Sequence, residues 1–335
     1  MTSALAITAL AFVAVALVLL IELAIRRVVL ERRARRYAAA VRRVRPIAIE
    51  LLEGEGRERP ALPTGDQAVL AEVLGRYSRQ LTGEASGRVA EYFRGSDALA
   101  RSLHELGSWR TWRRAAAAYR LGDMGCEEAA PALLAALEDR RRVVRGAAAR
   151  SLGRLEVVEA AKPLVEALVS ERVPNGVAGE ALVELGPSAV GELRVIAGHP
   201  SHRLRATAIA LLGLVGDSGG SSLAVDCLGD PSAEVRATAA ETLTRIGGPP
   251  AEGALRSALE DRIHFVRAGA ATALGVIGSR EALPRLLQMA RTDAFRPARA
   301  AAQAVARISP KALAEAAEEE DAGPHLHEAA DLSAL

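Results

Sequence analysis

The feature that most constrains the fold of this chain is an internal repeat that occupies its C-terminal part. A Leu-Gly or Ile-Gly pair recurs about every 31 residues between Gly122 and Gly275, a period typical of proteins built from stacked supersecondary units. An arginine recurs in register with these pairs, and Gly176 stands at the one missing place, before a short deletion. We call the recurring residues the ladder arginines: Arg114, Arg145, Arg205, Arg236 and Arg267. Units of this length must stack to bury their apolar faces.

Each repeat is predicted to contain two short helices. Residues 261–278 carry closely spaced alanines and then glycine, which is typical of a helix that ends at a glycine C-cap. A second helical pattern follows at 281–290, where Pro284 is tolerated in the first turn. Aromatic residues make up only 3% of the chain, so small side chains at close helix contacts are favoured over a large aromatic core. The sequence therefore predicts an all-α fold.

The full pattern of a repeat is an aspartate, five residues, an arginine, two or three alanines, Leu-Gly and then Ala-x-x-x-Leu. This pattern resembles the short bacterial HEAT repeats known as the PBS-lyase type, and the resemblance covers residues 109–308. It implies a right-handed α-solenoid of about seven two-helix repeats. Because scaffolds, lyases, hydroxylases and nucleic-acid enzymes all use such repeats, the resemblance implies the fold more strongly than the function.

Aspartates accompany the ladder arginines. Asp139, Asp230 and Asp261 each stand six residues before one of them. An aspartate at the start of a helix can accept hydrogen bonds from free N–H groups, and an arginine one turn inside can reach a carboxylate of the same or the adjacent repeat. We therefore interpret the aspartates and the ladder arginines as structural residues.

The N-terminal segment predicts a membrane anchor. Residues 4–21 carry no charge and only Thr8 as a polar side chain, and about 20 apolar residues suffice to span a bilayer as a helix. The first arginines follow this run, which disfavours a cleaved signal peptide and predicts that the N-terminus lies outside and the repeats lie in the cytosol. The predicted location is thus the inner or cytoplasmic membrane, crossed once by residues 1–25.

Arginines crowd the segment after the apolar run, and the lipid bilayer is accordingly the first predicted partner. Each arginine near an anionic leaflet adds attraction, although the same residues could serve only as a topology signal. The predicted membrane-surface residues are Arg26, Arg27, Arg32, Arg33, Arg35 and Arg36.

The remaining boundaries follow from composition. Residues 26–60 are predicted to be a basic juxtamembrane segment and linker, 61–108 an irregular helical cap, and 309–335 an acidic tail that is partly disordered. Trp109 and Trp112 would share one helix face, and packing in the core or the cap is favoured for them over a ligand cage.

Few residues of the sequence support an enzymatic function. The resemblance includes enzymes similar to deoxyhypusine hydroxylase, which hold two irons with His-Glu pairs inside their repeats, but His104-Glu105 and His327-Glu328 both lie outside 109–308. A similarity to phycobilin lyases rests on the repeat alone. Cys126 and Cys227 lie in different repeats and predict neither a disulfide framework nor a metal-binding pair. We expect no cofactor, no metal, no small-molecule substrate and no enzymatic activity.

A protein partner is the remaining expectation. The exposed second-helix positions that recur with the repeat have mixed charge, which does not form a track for phosphates, so no nucleic acid is expected. We predict a membrane-tethered scaffold or adaptor for an unidentified protein partner, such as a membrane glycosyltransferase complex or a signalling protein. A HEAT-repeat enzyme and a nucleic-acid-binding protein remain the alternatives. The predicted contacts on the concave face are Glu166, Arg194, Asp226 and Gln288.

Overall fold

The structure is a computed structural model that describes the backbone of residues 2–54, 62–78, 81, 83–216, 220–319 and 321–333. Side chains are described within these ranges from Leu17 onward, except at Val18. The described residues form nineteen α-helices and no strand, which confirms the predicted all-α fold. The chain divides into two compact units, Met1–Ala129 and Ala130–Leu335.

The first unit contains five helices. Their bounds are Thr2–Glu53 for α1, Thr64–Ser78 for α2, Glu84–Arg94 for α3, Asp97–Leu106 for α4 and Thr111–Met124 for α5. The C-terminal part of α1 packs against α2 and α3 and buries Val44 and Ala48 completely. Arg43 on α1 pairs with Asp66 in the first turn of α2, at 2.7 and 3.0 Å.

The long helix α1 changes the predicted boundaries at the N-terminus. It continues through most of the segment predicted to be a juxtamembrane linker and ends at Glu53, with Pro46 inside it. Buried alanine and valine contacts with α2 and α3 explain why this basic segment is helical and packed. Residues 55–60, most of the rest of the predicted linker, lie outside the described residues.

The predicted inner-membrane location is contradicted by the structure. In the part of the chain whose residues are described, no helix is long and apolar enough to span a bilayer. The described apolar stretch begins at Leu17 and soon meets Glu22 and Arg26, which form an ion pair of 2.6 Å. The side chains of residues 1–16 and of Val18, which make up most of the predicted transmembrane segment 1–25, lie outside the described residues.

The second unit contains two rows of helices that alternate along the chain. The first-helix row comprises α7 (Arg142–Arg154), α9 (Asn175–Glu184), α11 (His202–Val215), α13 (Ala233–Ile246), α15 (His264–Ile277) and α17 (Phe295–Ile308). The second-helix row comprises α6 (Ala130–Ala136), α8 (Ala161–Val169), α10 (Val190–Ala197), α12 (Gly220–Cys227), α14 (Glu252–Ala258), α16 (Leu283–Thr292) and α18 (Pro310–Ala317). The helix α19 (Gly323–Ser333) follows.

The two rows differ in how closely their members pack. From α11 to α17, consecutive helices of the first-helix row contact each other along most of their length, whereas consecutive helices of the second-helix row scarcely meet. The more closely packed row must lie on the inner side where stacked repeats curve. The first-helix row therefore forms the inner side of the array.

Glycine makes the close packing of the first-helix row possible. Gly275 lies inside α15, and a Cβ at this position would stand 2.8 Å from both Cα and Cβ of Ala304 on α17. Gly153 on α7 is placed in the same way, because its Cβ would lie 2.8 Å from Cα of Ala181 on α9. The glycine of the Leu-Gly pair thus serves helix contact here, whereas the sequence predicted that it ends the helix.

Other glycines end the first helices. Gly216 and Gly278 follow α11 and α15 with φ of 78° and 81°, in the left-handed region that favours glycine. A glycine of the recurring Leu-Gly or Ile-Gly pair follows the end of the shortened helix α9, where Gly186 has φ of 57°, and ends α13, where Gly247 is the C-cap.

Two helices, α18 and α19, lie in the acidic tail 309–335. The two tail helices, α18 and α19, contact each other and α17. Leu313 and Leu326 are fully buried, so these apolar residues hold the tail on the end of the repeats while its acids face outward. The tail therefore closes the array as a further helical pair.

Candidate protein-binding surface

The ladder arginines of the C-terminal repeats connect consecutive repeats. Arg236 donates from Nε and Nη2 to the carboxylate of Asp261 in the next repeat, at 2.6 and 3.0 Å. Its Nη1 donates to the backbone carbonyl of Asp230 in its own repeat, at 3.0 Å. Arg205 pairs with Asp230 in the same way, with both distances at 2.8 Å. Each guanidinium therefore holds two adjacent repeats in register.

The carboxylate acceptors also order the turns that precede the first helices. Asp261 accepts a hydrogen bond from the N–H of Ile263, and Asp230 accepts one from Ser232, both at 2.8 Å. The hydrogen bond from the ladder arginine is the main reason that the pKa of each aspartate is lowered. Ionised aspartates are thus part of the folded state.

Asp293 is an acceptor that sequence reasoning missed. It receives both Nε and Nη2 of Arg267, with Nε at 2.7 Å, and this pairing lowers the pKa of Asp293. Arg299 stands six residues after Asp293, the spacing at which the other aspartates precede their ladder arginines. The repeat distance from the preceding ladder arginine is the signal that would have found it.

Two ladder arginines use backbone carbonyls. Arg145 donates to the carbonyl oxygens of Arg172 at 2.7 Å and Asp139 at 2.8 Å. Arg114, in the first unit, donates to the carbonyl of Ser108 at 2.9 Å. The guanidinium groups of both arginines are therefore hydrogen-bonded to backbone carbonyls of turns.

A groove opens on the first-helix row between α13, α15 and α17. Its volume is about 820 Å³, within the range of about 300–1,000 Å³ that is usual for ligand sites. Small residues line its floor, namely Ala237, Ala268, Gly269, Thr272 and Ala300. Gly269 also lets α15 approach α13, since a Cβ there would lie 3.1 Å from that of Ala240. A ligand can therefore come close to the helix backbones.

Two phenylalanines stand at the rim of the groove. Phe265 is 38% exposed and Phe295 is 66% exposed, although burial of a phenylalanine is favourable by roughly 1.5–3 kcal/mol. The ring of Phe295 meets His325 edge to face, with 4.9 Å between the ring centroids. Exposed aromatic rings around a concave surface are typical of an interaction site.

The charged side chains of the groove are mostly positive. Arg245, Arg296 and Arg299 line it together with a single carboxylate, Glu241. Arg245 forms an ion pair of 3.3 Å with Glu241, and Arg299 forms one of 3.5 Å with Glu328. The side chain of Arg296 is exposed and makes no hydrogen bond or ion pair within the part of the chain that the structure describes. The groove thus combines aromatic and cationic contacts.

Sequence reasoning missed this groove, yet a signal for it was present. Phe265 stands two residues before the ladder arginine Arg267, and Val143 stands in the same place before Arg145. Both side chains are exposed. Large apolar residues at exposed positions of the first helices would have indicated an interaction surface on the first-helix row.

The predicted contacts Glu166, Arg194, Asp226 and Gln288 are brought to another surface. All four are exposed, on α8, α10, α12 and α16. They share the second-helix row and do not line the groove. Whether they contact a partner protein stays a prediction.

The predicted packing of the two tryptophans is also wrong. Trp109 and Trp112 are 77% and 63% exposed, and the guanidinium carbons of Arg110 and Arg113 lie 4.7 and 5.3 Å from their ring centroids. The neighbouring arginines cover part of each ring, so that cation–π contact stabilises an exposed indole.

Possible metal ligands and cysteine thiols are the next groups to consider among the described residues. No group of three or more histidine, cysteine, aspartate or glutamate side chains there could hold a metal ion. Cys126 and Cys227 are buried, and burial is the main cause that raises the pKa of the Cys126 thiol to about 11. Burial likewise raises the pKa of Cys227. Both thiols are therefore protonated and poorly nucleophilic at neutral pH.

The predicted membrane-surface arginines lie on α1, where all six are exposed. Arg26 pairs with Glu22 at 2.6 Å and Arg27 with Glu31 at 2.9 Å. Arg36 borders a shallow cleft between α1 and α2 of about 410 Å³. Whether any of these residues contacts a lipid headgroup stays a prediction.

Comparison with known families agrees with the repeat architecture. The model of HEAT repeats matches residues 98–182 and 221–307, which together make up half of the chain. The protein therefore belongs to the HEAT-repeat family, and its second unit is an α-solenoid of such repeats. No curated protein matches the chain.

Several solved structures are similar to this chain at low identity. Human deoxyhypusine hydroxylase in complex with glycerol is 20% identical over 81% of this chain and 97% of its own, with a TM-score of 0.32. YibA from Escherichia coli is 15% identical over 75% and 97%, with a TM-score of 0.43. The complex of CpcE and CpcF of phycocyanin lyase from Nostoc sp. PCC7120 is 21% identical over 83% and 97%, with a TM-score of 0.27.

Proposed function

We propose that this protein is a scaffold or adaptor that binds a partner protein through its first-helix row. The observation that carries the proposal is the groove between α13, α15 and α17, with Phe265 and Phe295 exposed at its rim. Stacked helical repeats present an extended surface of this kind, and such surfaces are used for binding.

The composition of the groove supports a protein as the partner. Aromatic residues and arginine are enriched at protein interfaces and among the residues that dominate binding energy. The small floor residues Ala268 and Gly269 leave room for a partner's side chains between the rims. The Arg–Asp pairs beneath hold α13, α15 and α17 in register, so the surface is formed before a partner arrives.

Site-specific photo-crosslinking in the native host tests the proposal. A photoreactive amino acid replaces Gln303, which is exposed on the groove wall. The matched control replaces Gln288, which is exposed on the second-helix row. We expect the Gln303 probe to capture the same protein reproducibly and the Gln288 probe to capture none.

Two results would contradict the proposal. Capture from Gln288 alone would place the binding surface on the second-helix row. Capture from neither position would remove the support for a scaffold role. Phe265→Ala with Phe295→Ala provides a further check, because loss of the two exposed rings should weaken capture at Gln303 without changing thermal stability.

A further inference from the structure

We propose that the groove between α13, α15 and α17 binds an acidic, apolar segment of the partner protein, in which carboxylates flank an aromatic or aliphatic side chain. This inference rests on the proposed function, because it names the chemistry of the segment that the groove receives. It begins with the unequal charge of the groove, where Arg245, Arg296 and Arg299 face a single carboxylate, Glu241.

The three arginines remain available to a ligand. Arg296 has no ion-pair partner among the described residues. The pairs Arg245–Glu241 and Arg299–Glu328, at 3.3 and 3.5 Å, have solvent-exposed side chains. Exposed pairs of this kind contribute only about 0–1 kcal/mol, so an incoming carboxylate can replace the intramolecular one at little cost.

The apolar part of the ligand follows from the rims and the floor. Phe265 and Phe295 belong to successive first helices and lie on the same groove as the arginines. The floor between them consists mainly of alanine and glycine, with Thr272 and Gln303 as polar members. A segment with only charged residues would leave the two rings exposed, whereas an apolar side chain beside carboxylates satisfies both parts of the groove.

A nucleic acid fits the first-helix row less well than an acidic protein segment. Phosphate binding draws on several cations along a continuous path, but carboxylates interrupt the arginines of this row. Glu180 pairs with Arg150 on α7 at 3.2 Å, and Glu234 lies 3.2 Å from His202. Carboxylates thus interrupt the positive charge along this row.

The acidic tail of a second copy is also disfavoured by contacts within one chain. Glu319 forms an ion pair with Arg291, and Glu328 pairs with Arg299. The tail helices also pack on α17 and bury Leu313 and Leu326, so a tail that moved into a neighbour's groove would first expose these side chains to water. A separate acidic partner has no such cost.

Fluorescence anisotropy with the full chain tests the inference. The probe is a short fluorescein-labelled peptide in which glutamates alternate with phenylalanine and leucine, and the control peptide carries glutamine in place of glutamate. We expect the acidic peptide to bind more tightly, with an affinity that falls as salt is raised. Arg296→Glu with Arg299→Gln should weaken its binding on the order of tenfold.

Matched variants separate the groove from the other arginines. Arg140→Glu with Arg141→Gln changes two exposed arginines outside the groove and should leave peptide affinity unchanged. Phe295→Ala should weaken binding without changing its dependence on salt. The inference would be overturned if the acidic and the glutamine peptide bound equally. It would also be overturned if the groove and control variants had equal affinity for the acidic peptide, or if single-stranded DNA bound more tightly than this peptide.

Competition distinguishes this inference from the proposed function. If the acidic peptide suppresses crosslinking at Gln303, both stand. If a partner protein is captured at Gln303 but neither the peptide nor Arg296→Glu reduces the capture, the scaffold role stands and the acidic chemistry is wrong. If the captured protein is a second copy of this chain, and capture is lost on Glu319→Gln with Glu328→Gln, the occupant is the tail and the inference is wrong.

Discussion

The junctions between repeats differ strongly along the second unit. From α11 to α17 the first helices contact each other along most of their length, whereas α9 and α11 meet over only a small part. The closely packed junctions carry the arginine–carboxylate pairs of Arg205, Arg236 and Arg267. At the looser junction Gly176 replaces the ladder arginine, and α9 is shortened to ten residues.

This comparison separates two contributions to repeat packing. At the close junctions a hydrogen-bonded charge pair spans two repeats, and small residues let the helices approach. His199 at the loose junction accepts the N–H of Ser201 through Nδ1 at 3.0 Å, as Asp230 accepts that of Ser232 at 2.8 Å. The turn therefore has the same hydrogen bond at both junctions. The loose junction lacks the arginine–carboxylate pair between repeats.

Arg236→Ala should have the largest effect on the close junctions. It leaves the largely buried carboxylate of Asp261 without its cationic partner, so we expect the free energy of unfolding to fall by about 3 kcal/mol. Urea unfolding followed by circular dichroism measures the change. Arg245→Ala removes an exposed pair and serves as the control, with an expected change of about 0–1 kcal/mol. Equal effects of the two substitutions would show that the ladder adds nothing beyond a surface pair.

Gly275→Ala should be the next largest perturbation. The new Cβ would stand 2.8 Å from backbone Cα of Ala304, so α15 and α17 must separate, at a cost of about 1–3 kcal/mol. Gly253→Ala on α14 is the control, because a Cβ there meets nothing within 4 Å and should stabilise the helix by about 0.4–1 kcal/mol. A stability gain at Gly275 as well would contradict the close packing of the first-helix row.

Acid should weaken the close junctions more than the loose one. The pKa values of Asp230, Asp261 and Asp293 are lowered by their arginine partners. Their contribution is present above the unfolded-state value of about 3.9 and is lost as the pH falls through the lower folded values. Hydrogen exchange below about pH 4 should show protection lost at α13, α15 and α17 before α7. Asp261→Asn should reduce the pH dependence of unfolding, and an unchanged dependence would argue against the assignment.

A repaired ladder should produce the smallest effect. Gly176→Arg together with His199→Asp supplies the missing pair at the loose junction, and a double-mutant cycle should give a favourable coupling of about 1 kcal/mol. Each single substitution lacks its partner and is the control for the other. A coupling near zero would mean that the shortened helix α9, and not the missing pair, keeps α9 and α11 apart.

The periodic features of the fold were open to prediction because they depend on residues close together in the chain. Helix-forming alanines, turn residues and the recurring arginine predict two-helix repeats, and the structure contains such repeats. The groove was not predicted, because Phe265 and Phe295 lie on different helices and become neighbours only through packing. Asp293 has the local pattern of the other aspartates, since Arg299 follows it by six residues, but its pairing with Arg267 depends on the packing of adjacent repeats.

The sequence by itself determined that this protein is all-helical and repetitive, since local spacing decides which residues form helices and where a unit begins again. Tertiary structure decided which side chains meet and which face water. Gly275 shows the difference: its place in the pattern is plain from the sequence, but only the approach of α17 makes it a contact residue instead of a helix end. The direction in which the rows curve follows from close packing between repeats, and with it the surface that a partner can reach.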